Sequence, residues 1–409
     1  MWGVFIMKKI IAFFVVTIML CVPFYVNAEK RVSMEYNATD LDIPLGENLQ
    51  ANAAVGDILE INAKSAILME PYTKKILYES NADEKLAPAS ITKIMSLLLI
   101  MEAIDSGKLT LETQIQASEH ACSMGGSQIW LEPGETMTVD ELLKATVIAS
   151  ANDATVALGE AIAGSEEGFV AMMNEKAKNL GMNNTTFVNA TGLDAEEHLT
   201  TAHDVAIMSC ELVKYDLIKN YTTVWMDTLR NGESELVNTN KLVRFYSGAI
   251  GLKTGTTSKA GSCLSAAAER NGLTLVAVVL GSPTSNDRFN GARKLLDYGF
   301  ANYSYKEVGI ETPLEPIKVK KGVVSQIDIS CEDKLSVLLK RGEEEKLSQR
   351  VEIPEQITAP VKSGDTVGYL HISLDNEEIG VVPIKAAQSS EKLTVFVAFY
   401  HIFKTLFSL

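Results

Sequence analysis

The run Ala87-Pro88-Ala89-Ser90-Ile91-Thr92-Lys93 stands directly before a largely apolar stretch that reaches Ile104. That stretch is long enough for a helix, and proline is excluded from a helix interior, so the helix is predicted to begin near Ala89 or Ser90. Ser90 then occupies the first turn, where unpaired backbone N–H groups favour negative charge. Residues three apart share a helix face, so the Lys93 amine reaches the Ser90 hydroxyl. This arrangement activates a serine without a histidine. Many solvated helix faces carry a lone Ser-x-x-Lys, so partners elsewhere in the chain decide its meaning.

The 409 residues, 46% hydrophobic and 22% charged, fit a globular chain of two or three domains. A net charge of −15 argues against a nucleic-acid partner. At the N-terminus Lys8 and Lys9 precede the apolar run Ile10 to Val22, and Val26-Asn27-Ala28 has cleavage-type residues. Residues 1–28 therefore read as a secretory signal peptide, because the run falls short of the roughly 20 residues of a spanning helix. Beyond it lie Cys122, Cys210, Cys263 and Cys331 with no C-x-x-C, so neither zinc nor a disulfide framework is suggested. No metal or cofactor is expected, and an exported bacterial envelope protein is.

Residues 29–60 read as an N-terminal extension. A β-hairpin is predicted at Ser65 to Glu79, before the Ser90 helix. Thr138-Val139-Asp140-Glu141 is a capping box opening a helix to Ala149, after which Ser150-Ala151-Asn152-Asp153 interrupts the apolar pattern. Further helices are expected over Glu166 to Leu180, from Thr201 to about Lys214, and over Arg288 to Phe300. Strand-like runs Ser262 to Ala268 and Leu273 to Leu280 meet at Asn271-Gly272, a hairpin signal. Strands at both ends with helices between imply an α+β catalytic domain over 61–303, an antiparallel sheet with helices packed on it. Short alternating runs over 304–388 imply a small all-β domain, and residues 389–409 carry an apolar tail.

Three motifs then line up: Ser90-Ile91-Thr92-Lys93, Ser150-Ala151-Asn152 and Lys253-Thr254-Gly255. Their order is that of penicillin-binding proteins and serine β-lactamases. From about Lys64 to Phe300 the chain resembles the serine-type D-alanyl-D-alanine carboxypeptidases, the low-molecular-weight penicillin-binding proteins. The likeness includes Gly126-Ser127-Gln128-Ile129-Trp130-Leu131-Glu132-Pro133-Gly134, Ala151-Asn152-Asp153-Ala154 and Gly251-Leu252-Lys253-Thr254-Gly255. One departure is Ala151, where family members often have glycine.

The resemblance implies a penicillin-binding fold and removal of the terminal D-alanine from peptidoglycan pentapeptide, with β-lactam antibiotics as covalent inhibitors. Ser90 would attack, Lys93 would take its proton, and Ser150 beside Lys253 would pass a proton to the leaving amine. Asn152 would hold Lys93 and a substrate amide. The backbone N–H groups of Ser90 and Thr256 would meet the oxyanion, in the Lys253-Thr254-Gly255-Thr256 segment. Thr254 and Arg288 are candidates for the terminal carboxylate, although Arg288 also reads as an ordinary surface arginine.

Two other classes compete. A serine β-lactamase needs a deacylating carboxylate, usually in Glu-x-x-Leu-Asn roughly 36 residues past the Ser150 motif, and the chain there reads Asn183-Asn184-Thr185-Thr186-Phe187. A non-catalytic penicillin-binding wall protein would not require the intact lysines. His203 and Asp204 could suggest a Ser-His-Asp hydrolase, but both fall in a predicted first helical turn, and His120 and His198 have no ligand-spaced partners. In the tail Thr394, His401, Lys404, Thr405 and Ser408 gather on one helical face and apolar residues cover the rest. This predicts an amphipathic helix lying on the outer face of the cytoplasmic membrane.

Overall fold

The computed structural model describes residues 59–407. The signal peptide at 1–28, nearly all of the extension, and Ser408 and Leu409 lie outside the described residues.

Five strands form the central sheet: β1 (Ser65–Met69), β2 (Ile76–Ser80), β3 (Ala249–Thr257), β4 (Gly261–Arg270) and β5 (Leu273–Ser282), all paired antiparallel in the order β2-β1-β5-β4-β3. The turn between β4 and β5 has Asn271 at φ 51° and Gly272 at φ 78°. Two positive φ values in a two-residue hairpin turn match the strands' right-handed twist, which is why Asn-Gly marked it.

Both faces of β5 are covered, so its sequence is apolar without a break from Leu275 to Leu280. Val276, Val278 and Leu280 join the larger core with Ile67 and Met69, while Leu275, Ala277 and Val279 join the smaller one with Ala66 and Leu68. This is the two-residue period of a strand divided between two layers.

Against the larger core pack α1 (Lys93–Asp105), α2 (Val139–Ile148), α3 (Asn152–Ala163), α4 (Glu166–Asn179) and α5 (Ala202–Leu212). The expected capping box is formed: Glu141 N–H donates to Thr138 Oγ1 and Thr138 N–H to Glu141 Oε2. Ser209 on α5 and Ser265 on β4 share a buried hydrogen bond of 2.8 Å, satisfying two hydroxyls inside the larger core. On the other face lies α6 (Ser285–Asn302), capped by Thr284 and Asp287. Gly299 lets α6 approach closely, since a Cβ there would stand 2.4 Å from Leu275 Cδ1.

The β-rich remainder begins without a linker. β6 (Tyr303–Val308) follows α6 directly and pairs with β7 (Leu335–Lys340), whose Leu338 packs into the α6-side core. β8 (Leu347–Glu352), β9 (Thr366–Leu374) and β10 (Glu377–Ala386) form an antiparallel set with Ile329–Ser330 at its far edge. The chain ends in α7 (Val395–Phe407).

Two differences from the sequence reading matter. Ala89–Thr92 is a 3-10 turn and α1 starts only at Lys93, so Ser90 precedes the α-helix instead of opening it. Ala89 adopts φ 49°, which no α-helix accommodates. Short antiparallel strand pairs, Gln114–Gln116 with Thr136–Thr138 and Met226–Leu229 with Ser234–Val237, also interrupt the helical region. Three- and four-residue strands are too short to show a period.

Candidate active site

Ser90 sits where the 3-10 turn, α3 and β3 converge. Lys93, fully buried at the start of α1, places Nζ 3.1 Å from Ser90 Oγ. The same nitrogen donates to Asn152 Oδ1 at 2.5 Å and to the Thr191 carbonyl at 2.8 Å. Asn152 Nδ2 donates to the Gly125 carbonyl at 2.6 Å, which fixes the orientation of the amide.

Two of the three Lys93 partners are acceptors only. A neutral amine has two N–H groups and one lone pair, so Asn152 and Thr191 consume both hydrogens and the lone pair faces the Ser90 hydroxyl. Burial drives the Lys93 pKa well below the ordinary lysine range, the charge on Lys253 pushes the same way, and Asp153 opposes both. The geometry and the electrostatics therefore favour a base.

Ser150 lies between α2 and α3 with φ 63°, a conformation in which a non-glycine residue is uncommon. It is nearly buried and breaks the helix so that Asn152 can open the next one. The expected interruption is therefore a sharp local change of backbone direction between α2 and α3.

β3 supplies the third side. Lys253 is buried, with Nζ 3.0 Å from the Thr254 carbonyl, and its pKa is lowered to about 7, first by burial and then by the charge of Arg288. Thr254 Oγ1 donates to Thr239 Oγ1 at 2.6 Å. Gly255 lies against the Ser90 turn. Arg288, on α6, donates to the Gly255 carbonyl at 2.9 Å and to Thr256 Oγ1 at 2.8 Å, with longer bonds to the Cys263 carbonyl and Ser285 Oγ. It is a buried cation tied to the active-site strand, not a surface arginine.

Ser90, Lys93, Asn152, Thr254, Gly255, Thr256 and Arg288 are thus linked through hydrogen bonds or close backbone packing, with Ser150 and Lys253 on the segments between them. The alternative triad is not assembled. His203 Nδ1 lies 3.4 Å from Asp83, and Asp204 accepts from Asn184 N–H and Thr185 Oγ1. Among the described residues no group of three or more His, Cys, Asp or Glu is placed to hold a metal ion.

Residues 50–284 match the family described as D-alanyl-D-alanine carboxypeptidase. The chain belongs to the D-alanyl-D-alanine carboxypeptidase family. Residues 307–392 match the penicillin-binding protein 5 C-terminal domain. The chain is similar to D-alanyl-D-alanine carboxypeptidase DacF of Bacillus subtilis, with 45% identity over 81% of this chain and 86% of that protein. It is also similar to the solved structure of a peptidoglycan synthesis regulatory factor (PBP3) of Streptococcus pneumoniae, at a TM-score of 0.69 and 30% identity, covering 81% of this chain and 100% of that one. A third likeness is to penicillin-binding protein D2 of Listeria monocytogenes in its ampicillin-bound form, at a TM-score of 0.55 and 32% identity, covering 59% of this chain and 99% of that one.

In this family member several supporting residues escaped the sequence reading. Asp153, fully buried, accepts from the backbone N–H groups of Ile129 and Leu131 and so pins the loop that ends in the exposed Trp130. Arg230 holds the same loop from outside, donating to the Ile129 carbonyl at 3.0 Å and to Glu135 at 2.8 Å. Asp153 stood in a quoted motif and could have been found. Arg230 lies in an unremarkable turn and carried no signal.

Proposed function

We propose that Ser90 is the acyl-accepting nucleophile of a serine-type D-alanyl-D-alanine carboxypeptidase acting on peptidoglycan pentapeptide stems. The observation that carries this reading is the Lys93 amine, with two acceptor-only oxygens on its hydrogens and Ser90 Oγ on its remaining side. Ser90 Oγ attacks the carbonyl carbon between the two D-alanines and its proton passes to Lys93 Nζ. The oxyanion is met by the N–H groups of Ser90 and Thr256, a contribution of about 3 kcal/mol per donor in related sites. Collapse breaks the peptide bond, and the proton held by Lys93 passes through Ser150 to the departing amine, leaving an ester on Ser90 and Lys93 neutral again. Water then cleaves the ester, giving one proton to Lys93 and restoring the serine. Lys253 and the Thr254 and Thr256 hydroxyls, backed by Arg288, receive the substrate's terminal carboxylate.

The loop of residues 182–200 supports a peptidase over a β-lactamase. The Asn183 to Phe187 stretch is spent on structure, with Asn184 and Thr185 bound to Asp204. Glu196 and Glu197 in the same loop are exposed. Mass spectrometry tests the reading: a penicillin adduct on the Ser90 peptide that outlives many turnovers of pentapeptide supports it. Rapid penicillin turnover with pentapeptide left intact would sink it.

A tether completes the proposal. Along α7, Val395, Phe396, Phe399 and Ile402 are more than half exposed, an apolar surface turned to solvent. No helix among the described residues is long and apolar enough to cross a membrane. This favours a helix lying in the interface of the cytoplasmic membrane's outer face, with the β module between it and the catalytic sheet.

A further inference from the structure

His198 has no place in the chemistry above, yet it is buried and its ring is engaged at both nitrogens. Val188 N–H donates to His198 Nδ1 at 3.1 Å. Burial lowers its pKa to about 4, against a weaker opposing effect of Asp194, so the ring is neutral at neutral pH. Its one proton is therefore on Nε2, which lies 2.8 Å from Thr92 Oγ1. Thr92 Oγ1 in turn donates to the Ala89 carbonyl at 2.9 Å. The chain of donors runs one way, from Val188 N–H through His198 and Thr92 to Ala89.

Its end point is the peptide between Ala89 and Ser90. A trans peptide is planar, with C=O and N–H pointing oppositely, so fixing the Ala89 carbonyl fixes the Ser90 N–H. Ala89 needs such fixing, because φ 49° is costly for alanine. Glycines crowd the same peptide. A Cβ on Gly192 would stand 1.8 Å from the Ala89 oxygen, and one on Gly255 would stand 2.9 Å from the Ser90 nitrogen. A helical threonine often bonds back to a carbonyl three residues earlier. Here that carbonyl belongs to the oxyanion donor's own peptide, and a buried histidine is committed to the hydroxyl.

We propose that His198 and Thr92 are positioning residues, a relay that aims the Ser90 amide N–H at the oxyanion. The inference rests on the reading of Ser90 as nucleophile and its N–H as an oxyanion donor. Loss of the relay should slow acylation without weakening the encounter complex, since the N–H acts on charge that develops only in the transition state.

The experiment is single-turnover acylation of the full catalytic chain by penicillin, with the infrared carbonyl band of the acyl-enzyme as second readout and thermal melting as control. Removing an oxyanion donor outright costs about 100- to 1,000-fold, so misaiming one in Thr92→Val should slow acylation about 10- to 100-fold. The noncovalent dissociation constant should not change, and the ester carbonyl band should move to higher frequency as its hydrogen bond weakens. Thr92→Ser, which keeps the hydroxyl, should restore both, and His198→Gln, whose amide can donate from the same place, should fall between. The double variant Thr92→Val with His198→Gln should be no slower than Thr92→Val alone, because both act through one hydroxyl. A folded Thr92→Val that acylates at the wild-type rate with an unmoved band overturns the relay, as do effects of the two substitutions that multiply. If Thr92→Val does not fold, His198→Phe serves in its place, and wild-type rate and band there overturn the relay equally. A wild-type chain that takes no adduct on Ser90 would defeat the nucleophile assignment itself, and the relay with it.

Discussion

The Cβ that Gly255 lacks would stand 2.9 Å from the amide nitrogen of Ser90 and 3.0 Å from that of Ile91. β3 can therefore lie against the Ser90 turn only while position 255 has no side chain. The glycine of the third motif works through space and not through conformation, because its φ is not in the left-handed region.

Gly255→Ala should consequently push β3 and the Ser90 turn apart. Backbone atoms cannot yield as a flexible side chain does, so a destabilisation of about 1–3 kcal/mol is expected, typical of overpacking. Acylation by penicillin should fall by at least about 100-fold, the scale of one lost oxyanion donor. Chemical denaturation and stopped-flow acylation check the two effects, and an active, equally stable variant would show that the turn can move.

Lys93→Met separates the proposed base from its burial. The methionine removes the amine at similar volume, so release of D-alanine and adduct formation should both be abolished. The stability difference depends on pH with a definite sign. The folded-state pKa of Lys93 lies below its unfolded value. As pH falls from about 10.5, the unfolded chain binds a proton that the folded chain does not, and the wild type loses stability relative to the variant. The gap should widen from pH 10 to pH 7 and level off once the folded-state pKa is passed. Melting curves of both proteins across that range would contradict the assignment if they ran parallel.

Much of this site was legible because its chemistry is written in local sequence. Ser90 and Lys93 are three residues apart, Ser150 and Asn152 flank a break in an apolar pattern, and the Asn271-Gly272 turn has one comfortable backbone. The positive φ at Ala89 was not legible, since alanine gives no hint of it and the strain is held by Thr92, Gly192 and Gly255 from three different segments. Arg288 read equally well as a surface residue, because its burial depends on α6 packing on the sheet so that its guanidinium reaches Gly255 and Thr256. His198 looked like an isolated histidine for the same reason: its partners, Val188 and Thr92, belong to a neighbouring strand of loop and a distant helix start.

The charge of Arg288 should be readable through Lys253. With the Lys253 pKa at about 7, the free enzyme loses the Lys253 ammonium, proposed above to receive the substrate carboxylate, as pH rises through neutrality, so kcat/KM should fall on the alkaline side. Arg288 is the second cause of that lowering, after burial. Arg288→Met should therefore move the alkaline limb to higher pH while Arg288→Lys, which keeps a charge, should leave it nearly in place. The midpoint of the limb reports on this whatever the absolute rates, and a limb that stays put in Arg288→Met would disconnect the two residues.

The tail offers a test that leaves the chemistry untouched. The 13 residues of α7 span about 20 Å at 1.5 Å each, against a hydrocarbon core of about 30 Å, so the helix suits the membrane interface and not a crossing. Leu393 N–H still donates to the Lys321 carbonyl of the β module, so truncation after Leu393 preserves the module's last backbone contact. Each large apolar side chain moved from water into lipid contributes about 1.5–3 kcal/mol, and Phe396, 88% exposed, should be among the larger contributors. Protein lacking residues 1–28 should float with phosphatidylglycerol and phosphatidylethanolamine vesicles. The truncated form should stay in the soluble fraction, and Phe396→Asp should shift most of the protein there. D-alanine release from a soluble pentapeptide and the melting temperature should be unchanged in both variants, because α7 follows the β module in the chain and supplies none of the residues placed around Ser90. Full-length protein that never floats, or a truncated form that floats equally well, would remove α7 as the anchor.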